Sequence, residues 1–314
     1  MAFKGLLAAS FLGLGLIVTL SCGPMPPQDP FNLGQAKDTL NKGMGWYQRG
    51  CHREAARFFT EGLVFARLAD NPNLIVVARN SLGAALLADG QLEAAARSLG
   101  QALELTETLP DRPELDSVLG NLGSLSFKAN RLKDAEMYWQ KALEFAPEPR
   151  KAIYLANLAR LSQANKSPER ISYIERALEA SKTKDVPISA RADALALAAS
   201  LAIEREDRPL AWTFLSEALE IDRQTENLAG LAQDLELSAK LRLAERKIPE
   251  AAQDLDRSFY LWAALGGTEG REGVKRLLAL LRQTHQQGHP KDLAPYLKVQ
   301  AKPQAFDPLG ESCP

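Results

Sequence analysis

The clearest pattern along the chain is a set of alanines at a fixed spacing, each at the same place in an alternation of small and bulky apolar positions. Consecutive alanines of the set are 40 residues apart, except for one longer interval, from Ala135 to Ala211, which is close to two periods. Periods of roughly 20–50 residues are typical of arrays of small units that cannot bury their apolar faces alone. The pattern therefore predicts a stacked array, a class of fold suited to binding. The alanines are Ala55, Ala95, Ala135, Ala211 and Ala251.

The sequence around these alanines predicts pairs of helices. In the second unit Ala95 and Ala102 are two helical turns apart, with Leu99 between them, so small and large side chains alternate on one face. Gly83 lies in a preceding helical pattern, where a glycine costs about 1 kcal/mol and therefore indicates close packing. Gly90 stands where that first helix should end. Each unit is thus predicted to be a first helix, a turn and a second helix.

The template occurs six times, which predicts about six antiparallel helix pairs over residues 35–266. The fourth unit lacks its alanine because the turn at Asn165–Pro168 is one residue short, and we expect this shift to explain the long interval between alanines. After a glycine-rich break at Gly266–Gly270, residues 267–300 carry an apolar helical stripe and predict capping helices. Residues 301–314 predict a flexible tail. The stripe consists of Val274, Leu277, Leu278 and Leu281.

The order of residues within a unit resembles the tetratricopeptide repeat, a helix-turn-helix unit of about 34 residues. This resemblance implies a right-handed all-α solenoid, and the longer period indicates longer helices and links. HEAT repeats have a similar length, but the order of glycines and alanines argues against them. The matching residues are Leu82-Gly83, Gly90, Ala95, Leu99 and Ala102-Leu103, repeated as Leu122-Gly123, Asn130, Ala135, Trp139 and Ala142-Leu143, with Pro147 at the end.

The resemblance also implies where a partner binds, because in this family the first helices line a concave groove in which peptides commonly lie. Asparagines there can hold a peptide backbone through one donor and one acceptor group. Each groove residue could equally tie neighbouring helices together. The Lys/Asn/Arg clamp that holds C-terminal carboxylates in some members is missing from the sequence, which argues against a receptor for chaperone tails. The predicted groove residues are Tyr47, Gln48, Asn80, Asn121, Phe127, Lys128, Asn157, Arg160, Gln163, Glu204, Glu236 and Lys240.

The N-terminal segment predicts export from the cytoplasm. Lys4 precedes an uncharged apolar run at 5–20, the layout of a secretory signal, and this run is shorter than the roughly 20 residues that span a membrane. The small residue before Cys22 resembles the end of a bacterial lipoprotein signal, in which residues 1–21 are removed and Cys22 carries lipid such as palmitate. The proline-rich residues 22–34 then predict an extended tether. Ordinary secretion and an uncleaved anchor are the alternatives.

Charge and candidate chemistry narrow the function further. The chain has 38 basic and 39 acidic residues and a net charge of -1, which argues against binding to nucleic acid. We find no nucleophile beside a His–acid arrangement, no paired acids and no cofactor loop; the run Gly266–Gly270 lacks the Lys and Ser/Thr of a phosphate loop. The sequence therefore predicts a protein that is not an enzyme and that has no cofactor.

The histidines and cysteines predict neither a metal site nor a disulfide. His285 and His289 are one helical turn apart, but Gly288 and Pro290 should end the helix there, and no further ligand is clustered with them. In an oxidising compartment Cys51 and Cys313 could pair, but they lie near opposite ends of the array, so we expect an elongated solenoid to keep both thiols unpaired.

These features together predict a non-enzymatic scaffold of the bacterial cell envelope that binds an envelope protein or peptide in its groove. The lipid on Cys22 would tether it to the membrane, and Gly23 after that cysteine favours the outer membrane, facing the periplasm. The alternative is a ligand-responsive regulatory subunit of an envelope enzyme, with a pocket inside the superhelix. Convergent ionisable residues in the groove would favour that alternative, whereas amides and aromatic residues favour protein binding.

Overall fold

The computed structural model describes residues 30–265, the helix over 267–286 with side chains for 270–282, and residue 297. Within these ranges the chain forms thirteen α-helices and no strand, so the prediction of an all-α fold is confirmed. Twelve helices form six antiparallel pairs. They are α1 (Phe31–Gln48) with α2 (His52–Leu68), α3 (Pro72–Ala88) with α4 (Leu92–Thr108), α5 (Leu115–Lys128) with α6 (Leu132–Phe145), α7 (Glu148–Ala164) with α8 (Arg170–Ala180), α9 (Ile188–Glu204) with α10 (Arg208–Gln224), and α11 (Leu228–Ala244) with α12 (Ile248–Leu265); α13 (Gly267–Gln286) follows.

Glycines in the first helices let the second helices approach closely, as the sequence predicts. A Cβ atom added at Gly83 would stand 2.5 Å from Leu99 Cγ, and one added at Gly123 would stand 2.5 Å from Trp139 Cδ1. Ala95 is fully buried in the same interface. Because protein interiors are close-packed, a larger residue at any of these small positions would force the two helices apart.

Each first helix ends in a turn that contains one residue with a left-handed backbone. Gly90 and Asn130 occupy this position as predicted, with φ of 83° and 58°. The last three pairs place long side chains there, at a cost of roughly 1 kcal/mol each. The loss of glycine explains why the sequence signal of these turns is weak. The six residues are Gly50, Gly90, Asn130, Lys166, Glu206 and Arg246.

The structure corrects the predicted cause of the long interval between Ala135 and Ala211. Only positions 146 and 147 link α6 to α7, whereas 109–114 link α4 to α5. The shortening therefore occurs before the fourth pair: the step from Gly123 to its equivalent Ala159 is four positions shorter than the step from Gly83 to Gly123. The turn at Asn165–Pro168 is not the source of this deficit, because its left-handed residue lies one position beyond Asn165, as in the other pairs.

The fourth second helix is nevertheless shifted in phase, as predicted. In α6 the residues buried against the first helix include Ala135 and Trp139, four and eight positions after Arg131. In α8 the buried residues are Ile174 and Ala177. Ile174 lies seven positions after Ser167, the residue equivalent to Arg131, so it is one position earlier than Trp139. This helix is also short, with 11 residues, so it covers less of α7 than the other second helices cover of their partners.

The two ends of the array differ in how far the structure follows the predicted boundaries. The helix α1 begins at Phe31, before the predicted start at 35, because Pro30 adopts an extended conformation directly before it. At the other end α13 packs its apolar stripe on Phe259 and Trp262 of α12, which confirms the first capping helix. The predicted signal at 1–21, the rest of the capping segment and the tail at 301–314 lie outside the described residues. No helix in the described ranges is long and apolar enough to cross a membrane.

Cys51 overturns one expectation. It is buried, with 4% of its surface exposed, and it is disulfide-bonded, so the prediction of an unpaired thiol is wrong for this residue. That prediction considered only the length of the array. The segment from Gln286 to Cys313 can extend over about 90 Å, so the separation of the two ends does not keep their thiols apart. Both remaining cysteines, Cys22 and Cys313, lie outside the described residues.

Candidate functional site

The first helices form a continuous surface along the array. The helix α3 contacts both α1 and α5, and α9 contacts both α7 and α11. Their sides that are turned away from the second helices are therefore neighbours in space, although a whole repeat separates them in sequence. We call the surface made by the exposed sides of α1, α3, α5, α7, α9 and α11 the first-helix face.

Small side chains are frequent on this face. Ser81 and Ala84 on α3, Ser124 on α5, and Ala196 and Ser200 on α9 are all half-buried. They leave space between the larger polar residues, so a partner's main chain can come close to the helices. A surface of this kind is suited to an extended segment rather than to a single bulky group.

Asparagines join the second and third first helices at the base of the face. Asn121 on α5 donates an amide hydrogen bond of 2.8 Å to Oδ1 of Asn80 on α3. Asn80 is 7% exposed, so this bond satisfies a buried carbonyl group. Asn121 is half-buried, and within the described residues its second N–H and its own carbonyl oxygen make no hydrogen bond. These two groups are available to a peptide backbone.

The third amide of the face, Asn157 on α7, is held by an ionic contact between helices. Arg160 donates to Asn157 Oδ1 at 3.2 Å and pairs with Oδ1 of Asp193 on α9 at 2.5 Å. Because the carbonyl of Asn157 is occupied, its NH₂ group is directed to a fixed place and remains a donor. Asn121 and Asn157 thus present hydrogen-bonding groups on two successive first helices.

The clearest part of the array matches a known family. Residues 73–148, which cover the second and third helix pairs, match the model of the family described as tetratricopeptide repeat. Residues 73–148 are thus similar to tetratricopeptide repeats. This match confirms the resemblance on the two units in which the residue pattern is most complete.

One of three similar solved structures has a TM-score above 0.5 and supports this fold. A chain of the APC/C hetero-tetramer Cut9-Hcn1 is 17% identical, with a TM-score of 0.56, over 77% of this chain and 43% of that chain. Pseudomonas aeruginosa pilF is 17% identical, with a TM-score of 0.49, over 78% and 99% of the two chains. A tetratricopeptide repeat protein from Parabacteroides merdae is 16% identical, with a TM-score of 0.43, over 80% and 99%. No curated protein gives a significant match. At such identities the likeness shows the fold alone.

Nine of the twelve predicted groove residues contact other residues of the array. Besides the asparagines and Arg160, the Phe127 ring lies 5.7 Å from that of Trp139. Glu204 receives two hydrogen bonds, of 3.0 and 2.6 Å, from Arg170. All nine residues are engaged within the array. Tyr47 is half-buried, with its ring 5.3 Å from that of His52. The nine are Tyr47, Asn80, Asn121, Phe127, Asn157, Arg160, Glu204, Glu236 and Lys240, the last two forming an ion pair of 2.8 Å.

The other three predicted groove residues are more accessible. Gln48 and Lys128 are exposed and Gln163 is half-buried, and their side chains make no hydrogen bond or ion pair within the described residues. They lie at the ends of α1, α5 and α7. Partner binding at all twelve positions stays a prediction.

A buried ionic network that sequence reasoning missed joins the third and fourth repeats. Asp116 on α5 accepts a hydrogen bond of 2.9 Å from the Tyr154 hydroxyl and pairs with Arg150 at 2.9 Å. Burial, and then the neighbouring Asp116 charge, raise the pKa of the Tyr154 hydroxyl above its ordinary value. Gly120 makes room for the tyrosine ring. Asp116 and Tyr154 lie on first helices of different repeats, so only the repeat frame could have paired them.

A second buried group of acids, also missed, lies where α9, α10 and α11 meet. Asp234 on α11 is 1% exposed, and neither of its carboxylate oxygens has a hydrogen-bond partner. Burial, with the charges of Asp222 and Asp193 nearby, raises its pKa to about 8. Burial also raises the pKa of Asp222 to about 6, although Asn227 donates a hydrogen bond to it at 3.0 Å. The described residues contain no cluster of three or more His, Cys, Asp and Glu arranged to hold a metal ion.

One cleft opens on the opposite side of the array, between α6, α7 and α8. Its volume is about 780 Å³, and its floor includes Leu143, Leu155 and Tyr173. The short α8 explains this opening. Among the residues that line it, Lys151 pairs with Glu148, and the Arg176 guanidinium lies over the Tyr173 ring.

Proposed function

We propose that the protein is a scaffold of the bacterial envelope that binds an extended segment of a partner protein on the first-helix face. Tetratricopeptide repeats generally serve as non-enzymatic scaffolds for protein binding, and the fold supports that broad assignment. The observation that carries the proposal further is the pair Asn121 and Asn157. Their amides stand on successive first helices, are fixed by Asn80 and Arg160, and retain free hydrogen-bonding groups.

The arrangement of charges favours this function over that of a ligand-responsive regulatory subunit. The acids that converge in the C-terminal half, Asp222 and Asp234, are 2% and 1% exposed, so a ligand on the first-helix face would not reach them. Charged groups on the face such as Arg160, Glu204 and Glu236 are paired within the array. Amides and small residues are left to contact a partner, and these recognise main chain rather than a charged metabolite.

Site-specific photo-cross-linking in the cell tests the binding surface. A photoreactive amino acid is placed at Lys128 or Gln163 on the first-helix face, and at Arg97 or Lys141 on the exposed sides of α4 and α6 as matched controls. We expect the first two positions to give an adduct with an envelope protein and the controls to give none. Equal adducts from all four positions, or none from the first two, would contradict the proposal.

We further propose that a lipid on Cys22 anchors the scaffold to the outer membrane. The support is the sequence of the N-terminal segment, in which an apolar run ends at Ser21-Cys22 and Gly23 follows. Lipidation places the Cys22 sulfur in a thioether, which excludes it from disulfides. Because Cys51 is disulfide-bonded, the lipid proposal requires that Cys313 be its partner.

Mass spectrometry of the protein extracted from membranes without reductant tests both statements at once. We expect a mature N-terminus at Cys22 that carries acyl chains, together with a disulfide-linked peptide pair that contains Cys51 and Cys313. A Cys22–Cys51 disulfide, or an unprocessed Met1, would rule out the anchor. Neither result bears on the first-helix face, so the two proposals fail separately.

A further inference from the structure

The joint between the fifth and sixth helix pairs contains carboxyl groups from three helices. Asp193 comes from α9, Asp222 from the end of α10 and Asp234 from α11, and α11 packs on both α9 and α10. The carboxylate of Asp222 fits closely against Gly230, in the first turn of α11, where any side chain would collide with it. The first turn of the sixth pair is therefore built directly onto these acids.

Among the buried acids that the structure describes, Asp234 differs from the others because it has no hydrogen-bond or ion-pair partner. Asp116 is paired with Arg150, and Asp254 is paired with Arg242 at 2.9 Å and accepts a hydrogen bond of 2.6 Å from Ser238. Neither oxygen of Asp234 accepts a hydrogen bond. An ionised carboxylate buried in this way is costly, so the group is stable in the joint only with its proton.

The charges around Asp234 do not offset that cost. Asp193 faces it from α9 and is itself held by Arg160, while Asp222 faces it from α10. Arg223 on α10 acts in the opposite direction, but its effect is the weakest of those that act on Asp234, and its side chain is exposed.

On the remaining neighbours of α11 the ionic groups are engaged with one another. Arg242 and Asp254 join α11 to α12, and Glu236 is shared between Lys240 and Arg276 of α13. Those groups hold the C-terminal half of α11 in place. Asp193, Asp222 and Asp234 therefore lie together beside the N-terminal half of this helix, where it packs against α9 and α10.

We propose that this joint is a pH-sensitive hinge, closed when Asp234 carries its proton and loosened when the carboxylate ionises. The inference needs no bound partner and stands apart from the proposed binding function. In a linear array each pair is held mainly by its neighbours, so loosening one joint frees α11, α12 and α13 without unfolding the pairs before it.

The direction of the effect follows from the proton balance. The pKa of Asp234 lies at about 8 in the folded chain and at its ordinary value of 3.8 in the unfolded chain, so the folded joint holds a proton that the unfolded chain releases between these values. Stability therefore falls as pH rises through this window and falls no further above it. Asp222, with a pKa of about 6, adds to the loss in the lower part of the window.

Hydrogen exchange of the full chain, followed by mass spectrometry at pH 6 and pH 9, tests the hinge. After correction for the intrinsic exchange rate, we expect exchange in residues 228–265 to increase about tenfold or more, and that in 72–145 to change by less than about twofold. The second and third pairs thus serve as an internal control. Equal increases in both regions would overturn the proposal.

Two variants identify the group that titrates. Asp234→Asn should abolish the increase in exchange in 228–265, whereas Asp254→Asn should raise exchange at both pH values and leave the increase in place. If Asp234→Asn does not fold, Asp234→Leu, of similar volume and also without a charge, takes its place. Persistence of the full increase in the folded Asp234 variant would overturn the proposal.

Discussion

Two joints of the array bury an aspartate in a first helix, and they treat its charge in opposite ways. Between the third and fourth pairs, Asp116 is held by Arg150 and by the Tyr154 hydroxyl. Between the fifth and sixth pairs, Asp234 is equally buried but has no hydrogen bond, and the acids Asp222 and Asp193 act on it more strongly than Arg223 does. A buried aspartate can therefore have opposite effects in the same array. Paired with a cation it stabilises the third–fourth joint, and without a partner it makes the stability of the fifth–sixth joint depend on pH.

The largest expected effect comes from breaking a helix pair in each half. Ala135 and Ala251 are equivalent and both fully buried. Glutamate at either position places an unpaired charge in a close helix contact and should cost about 5 kcal/mol. Ala135→Glu should disrupt pairs on both sides, whereas Ala251→Glu should release only the last pair and α13. Circular dichroism at 222 nm measures the loss of helix in each variant. Equal losses would contradict the view that each helix pair is stabilised mainly by the pairs next to it.

Removing the arginine should convert the third–fourth joint into one like the fifth–sixth joint. Arg150→Ala leaves Asp116 buried without its ion pair, which should cost about 3 kcal/mol in urea unfolding at pH 7. Arg131→Ala breaks an exposed pair with Asp134 and is the matched control, with an expected change below about 0.5 kcal/mol. If both variants lost the same stability, the buried pair would not fasten this joint.

Removing the charge of Asp234 should have the opposite effect and stabilise the fifth–sixth joint. Asp234→Asn should stabilise the chain by about 2 kcal/mol at pH 9, where the wild-type carboxylate is ionised, and the gain should disappear near pH 4. Urea unfolding at the two pH values measures it. A gain that is independent of pH would mean that shape, and not charge, distinguishes asparagine from aspartate here.

The smallest effect is expected at the amide pair between the second and third repeats. Asn121→Ala leaves the buried carbonyl of Asn80 without its donor and should cost about 1 kcal/mol of stability. The same change should reduce the adduct formed from a photoreactive group at Lys128. Lys141→Ala, on the exposed side of α6 and away from the first-helix face, is the control that should leave the adduct unchanged. An unaltered adduct in the folded Asn121 variant would remove this amide from the binding surface.

The repeat frame could be predicted because its signals are local. Gly90 and Asn130 mark turns by their own backbone preference, and Gly123 with Trp139 shows a small residue matched to a large one within a single pair. The left-handed turns at Lys166, Glu206 and Arg246 could not be predicted, since these residues have no intrinsic preference for that conformation. Packing of the neighbouring pairs maintains them.

The polar joints could not be predicted for a different reason. A first helix contacts its own partner, the preceding pair and the next pair, so it is buried over a wide arc, and a charged residue there looks the same in sequence as one on a solvated face. Asp116 and Tyr154 are far apart in the chain, and only the three-dimensional stack brings them together. Likewise, Asp234 has no partner because α9 and α10 place no hydrogen-bond donor beside its carboxylate.

The most direct measurement of the central claim is the location of the cross-links on the partner. Photoreactive groups at Lys128 and Gln163 lie at the ends of successive first helices, α5 and α7, about one helix spacing of 10 Å apart. If an extended segment lies on the first-helix face, both positions should label one short stretch of the same partner, within about ten residues of each other. Labels scattered over the partner, or the same labels from Arg97 and Lys141, would contradict the account.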